Sequence, residues 1–110
     1  MTLSRLIGRR MVVDYPLLNR FEVEVAPGPG GVELIASGTI MESAKVFEEL
    51  QVEVQGHTIL VTIYAALVIW KSNGSPDFRA TQAIHVTPGE YELRYRGSNN
   101  AITALKRVTI

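Results

Sequence analysis

Leu50-Gln51-Val52-Glu53-Val54-Gln55-Gly56-His57-Thr58-Ile59-Leu60-Val61-Thr62-Ile63-Tyr64 is a pair of alternating runs joined by Gly-His. Leu50, Val52 and Val54 share one face of the first run, and Gln51, Glu53 and Gln55 share the other. Ile59, Val61 and Ile63 share a face of the second. A Gly-X pair suits a two-residue type II′ turn, because glycine takes positive φ without a Cβ clash. That turn sets Gln55 opposite Thr58. Val54 then faces Ile59, Val52 faces Val61, and Leu50 faces Ile63. Turn chemistry and apolar pattern select the same register, so the stretch reads as a β-hairpin.

Working outward toward the N-terminus, Phe21-Glu22-Val23-Glu24-Val25 alternates as a half-buried strand with its glutamates in water. Ala26-Pro27-Gly28-Pro29-Gly30-Gly31 is a turn, and Val32–Ala36 returns as its partner strand. Gly38-Thr39 marks a bulge or break before Ile40-Met41. Met11-Val12-Val13 reads as a short first strand ended by Asp14-Tyr15-Pro16, since Pro16 has no amide hydrogen for a ladder. Residues 1–10 are a basic lead-in, read as a frayed or loosely docked terminus. Glu42–Lys45 reads as a loop or single helical turn leading into strand.

Toward the C-terminus, Lys71–Arg79 reads as a polar loop with Asn73-Gly74 and Pro76-Asp77 turn signals. Thr81–Val86 is the next strand, and Thr87-Pro88-Gly89-Glu90 has the residues of a type II turn. Tyr91, Leu93 and Tyr95 point inward from an alternating strand. Gly97–Asn100 turns the chain, and Leu105–Ile110 closes the sheet with Val108 and Ile110 in the core. About eight short strands joined by Gly, Pro and Asn turns predict one all-β antiparallel sandwich spanning residues 1–110.

Val52-x-Val54-x-Gly56-x-Thr58-Ile59-x-Val61-Thr62-x-Tyr64, followed by Ile84-x-Val86-x-Pro88-Gly89-x-Tyr91-x-Leu93-x-Tyr95-x-Gly97, resembles the C-terminal half of small bacterial immunoglobulin-like sandwich modules. Such modules often carry Pro-Gly-x-Tyr before a strand, then a glycine turn and a last strand. The resemblance covers about residues 50–110. It implies an immunoglobulin-like sandwich serving binding or scaffolding, and it brings no catalytic motif. Many such modules are exported. This chain lacks the cysteine pair of exported forms, and Met1–Val13 lacks the apolar core of about 7–15 residues that a signal peptide needs.

The chemistry-bearing residues are few. Eleven basic and eleven acidic residues give a formal charge of zero, which removes a global electrostatic drive toward nucleic acid or anionic membrane. No apolar run reaches the ~18–20 residues of a membrane-spanning helix. The absence of cysteine excludes disulfides and thiolate metal sites. His57 falls in the tight turn, and His85 alternates outward from Ile84 and Val86. Asp14 and Asp77 each sit beside a proline turn, where turn formation is the ordinary role. No Ser/His/Asp set, carboxylate pair, phosphate loop or clustered oxygen ligands emerges. The expectation is a non-enzymatic protein with no cofactor, no metal and no catalytic residues.

One stretch departs from a sandwich strand. After Ile59, the odd positions through Ile69 serve the core, yet the even positions Leu60, Thr62, Tyr64, Ala66, Val68 and Trp70 are also mostly apolar. Another part of the chain covers that face, for example Leu3–Val13, or the strand switches sheets near Ala65, or the face is an interface. Leu60, Tyr64, Val68 and Trp70 are therefore the candidate interface residues. Charge is segregated as well. Eight acidic residues lie between Asp14 and Glu53, and the termini hold Arg5, Arg9, Arg10, Arg94, Arg96, Lys106 and Arg107. Arg94 and Arg96 are expected to pair with glutamates of a neighbouring strand. The function expected is a binding or assembly module with a protein partner or with itself. The alternative is a structural subunit of a larger particle, of phage or secretion-tube type, assembling through exposed strands.

Overall fold

The computed structural model describes residues 10–67 and 75–110. The predicted hairpin forms β4 (Lys45–Gln55) and β5 (Thr58–Leu67). Its register pairs Gln55 with Thr58, Val54 with Ile59, Val52 with Val61 and Leu50 with Ile63. Gly56 has φ +59°, and an added Cβ there would meet nothing within 4 Å, so backbone conformation alone selects glycine.

Before the hairpin come β1 (Arg10–Val12), a 3-10 turn at Tyr15–Leu17, β2 (Leu18–Gly28) and β3 (Gly31–Ile40). After it come β6 (Asp77–Ile84), β7 (Glu90–Arg96) and β8 (Ile102–Thr109). The strands form a five-stranded sheet, in which β5 bonds β4, β1 and β7 and β7 bonds β8, and a three-stranded sheet ordered β2-β3-β6. Val23, Leu34 and Ala36 of the smaller sheet and Ile59, Val61, Ile63 and Leu93 of the larger one meet in one buried core. This is an all-β sandwich. Among the described residues the pairings are antiparallel except one: β5 runs parallel to β7 from Thr58/Glu92 to Val61/Tyr95.

On one edge of β5, two strands lie end to end. β7 pairs with its first half, and β1 pairs with Tyr64–Ala66. The ten-residue length of β5 thus serves several partners within one sheet. Ile59, Val61, Ile63 and Ala65 all remain in the core, so β5 keeps one inward parity through Ala65, whereas Leu67, expected to serve the core, is exposed, and Ile69 lies outside the described residues.

Several sequence expectations shift in detail. The irregularity near Gly38 falls on the partner strand: β2 carries an extra residue between Asn19 and Glu22, with Arg20 at φ +52°. Gly38 lies opposite, where a Cβ would come within 3.1 Å of the Asn19 carbonyl and 3.2 Å of Phe21 Cα. β6 begins at Asp77 instead of Thr81. Phe78, hidden between charged neighbours in the sequence, is buried and stacks on Phe47 with ring centroids 5.0 Å apart. Thr87–Glu90 is a crossing between sheets rather than a type II turn. Gly89 has φ +155°, and it exchanges both backbone hydrogen bonds with Ile110, at 2.9 and 2.8 Å. The reading of residues 1–10 as frayed lies outside the described residues for all but Arg10, which opens β1.

Candidate functional site: the open side of the sandwich

The two lateral sides of the sandwich differ. On the β4/β6 side, Phe47 stacks on Phe78, the Phe47 amide donates to the Ser75 carbonyl at 3.0 Å, and the Ile40 amide donates to the Pro76 carbonyl at 2.9 Å. On the other side, β2 and β8 end their sheets, and among the described residues each bonds a neighbouring strand on one edge only. A seam runs between them. One cavity of about 300 Å³ is lined by Tyr15, Phe21, Glu22, Val23, Glu24, Leu105 and Lys106. A second, of about 240 Å³, is lined by Val25, Ala26, Pro27, Gly31, Val32, Thr109 and Ile110. Because Phe21–Glu24 lie level with Leu105–Lys106, and Val25–Pro27 with Thr109–Ile110, β2 and β8 run in the same direction along the seam.

Half-buried apolar side chains line the seam: Phe21, Val25, Val32, Leu105 and Ile110 pack against the core without being closed off, with the first cavity the more polar and the second the more apolar. Its rims carry opposite charge. Glu22 and Glu24 are exposed on β2, and Lys106 is exposed on β8. Lys106 pairs with Leu93, an inward position, because β8 holds an extra residue at Leu105. An inward-pointing charge, a bulge and Pro27 are devices that stop an edge strand from extending its ladder. Here they keep the edges free of backbone pairing and leave side chains to make any contact.

The sequence assigned Phe21, Val25 and Ile110 to the core and did not single out a seam. One signal was present. Lys106 shares parity with Val108 and Ile110, so a charge falls on a face that the pattern marks as inward.

The candidate interface drawn from the sequence lies elsewhere, on the outer face of the larger sheet. Leu60 is only 7% exposed and Thr62 only 3%. Charged residues flank Leu60 in register and reach across β5. Leu60 sits between Glu53 on β4 and Arg94 on β7. Arg96 Nη1 reaches Glu53 Oε2 at 2.9 Å, spanning β5, and Thr62 Oγ1 donates to the Arg96 carbonyl at 3.1 Å. Arg10 pairs with Glu49, and its guanidinium carbon lies 4.3 Å from the centre of the half-buried Tyr64 ring. Leu60 is thus buried within the chain, in keeping with intramolecular cover among the three explanations the sequence left open. Val68 and Trp70 lie outside the described residues. The expected partner of Arg94 also changes: it bonds Glu92 of its own strand, Nε to Oε1 at 2.8 Å, rather than a neighbouring strand. That bond holds the Glu92 carboxyl below its ordinary range.

Asp14 and His57 make hydrogen bonds within the fold. Asp14 Oδ1 accepts from the Ser98 amide at 2.9 Å and from the Ser98 hydroxyl at 2.7 Å, which lowers its pKa and ties the corner after β1 to the β7–β8 turn. His57 Nδ1 donates to the Glu90 carbonyl at 3.1 Å, and its ring lies 5.1 Å from that of Tyr91. His85 is exposed. Among the described residues, no group of three or more His, Asp or Glu side chains is gathered where a metal could bind. No helix among them is long and apolar enough to cross a membrane.

No protein-family model matches the chain, and no curated protein and no solved structure was found to resemble it.

Proposed function

We propose that this protein is a non-catalytic binding or assembly module, and that its contact surface is the seam between β2 and β8. The observation that carries the reading is the asymmetry of the sandwich. One side is closed at the start of β4 and β6 by Phe47 on Phe78, with Val54 exposed at its far end, while the other side leaves half-buried apolar side chains between an acidic and a basic rim along its length. Interfaces are built this way, with an apolar centre and a polar rim that sets orientation.

Two features support placing the module among immunoglobulin-like sandwiches. The chain crosses between sheets from β6 to β7, and Tyr91 at the start of β7 donates its hydroxyl hydrogen back to the Thr87 carbonyl at 2.7 Å. A tyrosine so placed is a feature of immunoglobulin-like sandwiches. The parallel pairing of β5 with β7 is this chain's own variation. The guarded edges weigh against a particle subunit that grows by strand-to-strand pairing.

Site-directed photocrosslinking tests the reading. A photoreactive residue in place of Glu24 or Lys106 is expected to capture one defined partner in fixed stoichiometry, competed by excess unlabelled protein. The same residue in place of the exposed Gln82 on β6 is expected to capture none. Capture from position 82 alone, or from no position, overturns it.

A further inference from the structure

The seam has a property that a generic binding surface lacks: it is complementary to itself. Its acidic rim (Glu22, Glu24) and its basic rim (Lys106) line the same cavity, at the same level along the strands. Among the described residues no ion pair engages any of these side chains. A two-fold axis lying along the strands would turn one copy so that its β2 faces β8 of the other. Level would be preserved, and Glu22 and Glu24 of each copy would meet Lys106 of its partner, twice over. A two-fold axis across the strands would set β2 against β2, acid against acid. A two-fold contact uses one patch on both copies, so a patch holding both signs side by side can satisfy itself only in the first arrangement.

Resting on the reading of the seam as a contact surface, we infer that its partner is a second copy of this chain, related by a two-fold axis along the strands that sets β2 of each copy against β8 of the other. The size of the strip fits. The eleven residues of β2 extend about 36 Å. Sheets about 10 Å apart, with a side chain's breadth on either side, make the strip about 20 Å wide. About 700 Å² per copy approaches the roughly 800 Å² that a stable partner contributes. The contact is made by side chains. Phe21, Val25, Leu105 and Ile110 supply the apolar centre, while Pro27 and the bulges in β2 and β8 prevent a continuous backbone ladder between copies. Such a dimer closes on itself and does not grow into a filament.

Sedimentation equilibrium of the full chain, with circular dichroism as the check on folding, tests this. The wild type is expected to be a dimer whose dissociation constant rises severalfold as salt is raised, since the rims are exposed. Glu22→Lys with Glu24→Lys in one variant, and Lys106→Glu in another, each set like charge against like. Each variant is expected to be folded and to weaken self-association tenfold or more. An equimolar mixture of the two should recover the dimer as a heterodimer, because each rim then meets its opposite. Folded variants that associate as the wild type does, or a mixture that stays monomeric, overturn the inference. Should a charge reversal unfold the chain, Glu24→Gln is read instead. It weakens the dimer in the arrangement inferred here and strengthens it if β2 faces β2. A wild type monomeric at all concentrations that is still captured by another protein at positions 24 and 106 overturns self-pairing and leaves the module reading standing. A monomer captured by nothing overturns both.

Discussion

The Tyr95 hydroxyl accepts the Ile63 amide hydrogen at 3.1 Å, in the middle of a sheet where a backbone carbonyl would ordinarily stand. The same hydroxyl donates to the Val13 carbonyl, and the Val13 amide donates to the Ile63 carbonyl at 2.9 Å. β5 changes partner here, from β7 to β1, and the gap between the two neighbours would strand an amide and a carbonyl. Tyr95, fully buried, closes that gap with its side chain. Phe21 packs edge-on against its ring with centroids 5.3 Å apart, so the closure also joins the two sheets.

Tyr95→Phe keeps the ring and leaves the Ile63 amide and the Val13 carbonyl without a partner. Leaving buried polar groups unpaired costs about 1–3 kcal/mol. Urea unfolding is expected to show a loss in that range, with the midpoint lowered and the slope unchanged. A loss near zero would mean that the hydroxyl does not complete the ladder.

Burial pushes the Tyr95 phenol up to about 12, from an ordinary value of 10.0. The folded state therefore holds this proton at a pH where the unfolded chain has released it. The stabilisation is fully present below pH 10.0 and is lost as pH rises toward about 12. Tyrosinate absorbance should show a late phase from Tyr95. Tyr95→Phe should remove that late phase and flatten the fall in stability across the same window.

The Asp14 carboxyl has the opposite sign. Bonds from Ser98 lower its pKa from 3.8, so its stabilisation is present above that value and is lost as pH falls through the lowered one. Asp14→Asn is expected to be less stable than wild type at neutral pH. The difference should shrink as acid protonates the wild-type carboxyl, and matched thermal melts from pH 7 downward check it.

Gly56→Val is expected to destabilise the protein by about 1 kcal/mol or more, because a β-branched residue is strained at positive φ. Nothing lies within 4 Å of the added Cβ, so Gly56→Asn, which tolerates the left-handed region, should lose less. Equal losses from the two variants would point to a cause other than backbone strain.

Arg96→Ala removes the stem that reaches across β5 to Glu53. Leu60 and Thr62 then lose part of their cover, and dye binding to exposed apolar surface is expected to rise while the fold persists. Glu53→Gln keeps its length and most of the cover, so it should change dye binding little. Similar rises in both variants would assign the effect to lost charge instead of lost packing.

The sequence by itself determined what short-range geometry controls. The Leu50–Tyr64 hairpin, its turn and its register follow from a period of two and a glycine at positive φ, both readable within fifteen residues. The strand of Phe21, Val23 and Val25, and that of Tyr91, Leu93 and Tyr95, follow in the same way. Tertiary structure decided what depends on which strands meet. Leu60 was one of the residues whose outer face the sequence left open, because only the pairing of β5 with β7 brings Arg94 and Arg96, distant in sequence, beside it. Phe78 looked like loop until Phe47 came to stack on it. Tyr95 read as one more inward side chain, because nothing local shows that two strands share one edge of β5. The seam was invisible for the same reason. A strand's alternation says which face is apolar, whereas whether that face is closed at the side is fixed only by how far the sheets' last strands stand apart.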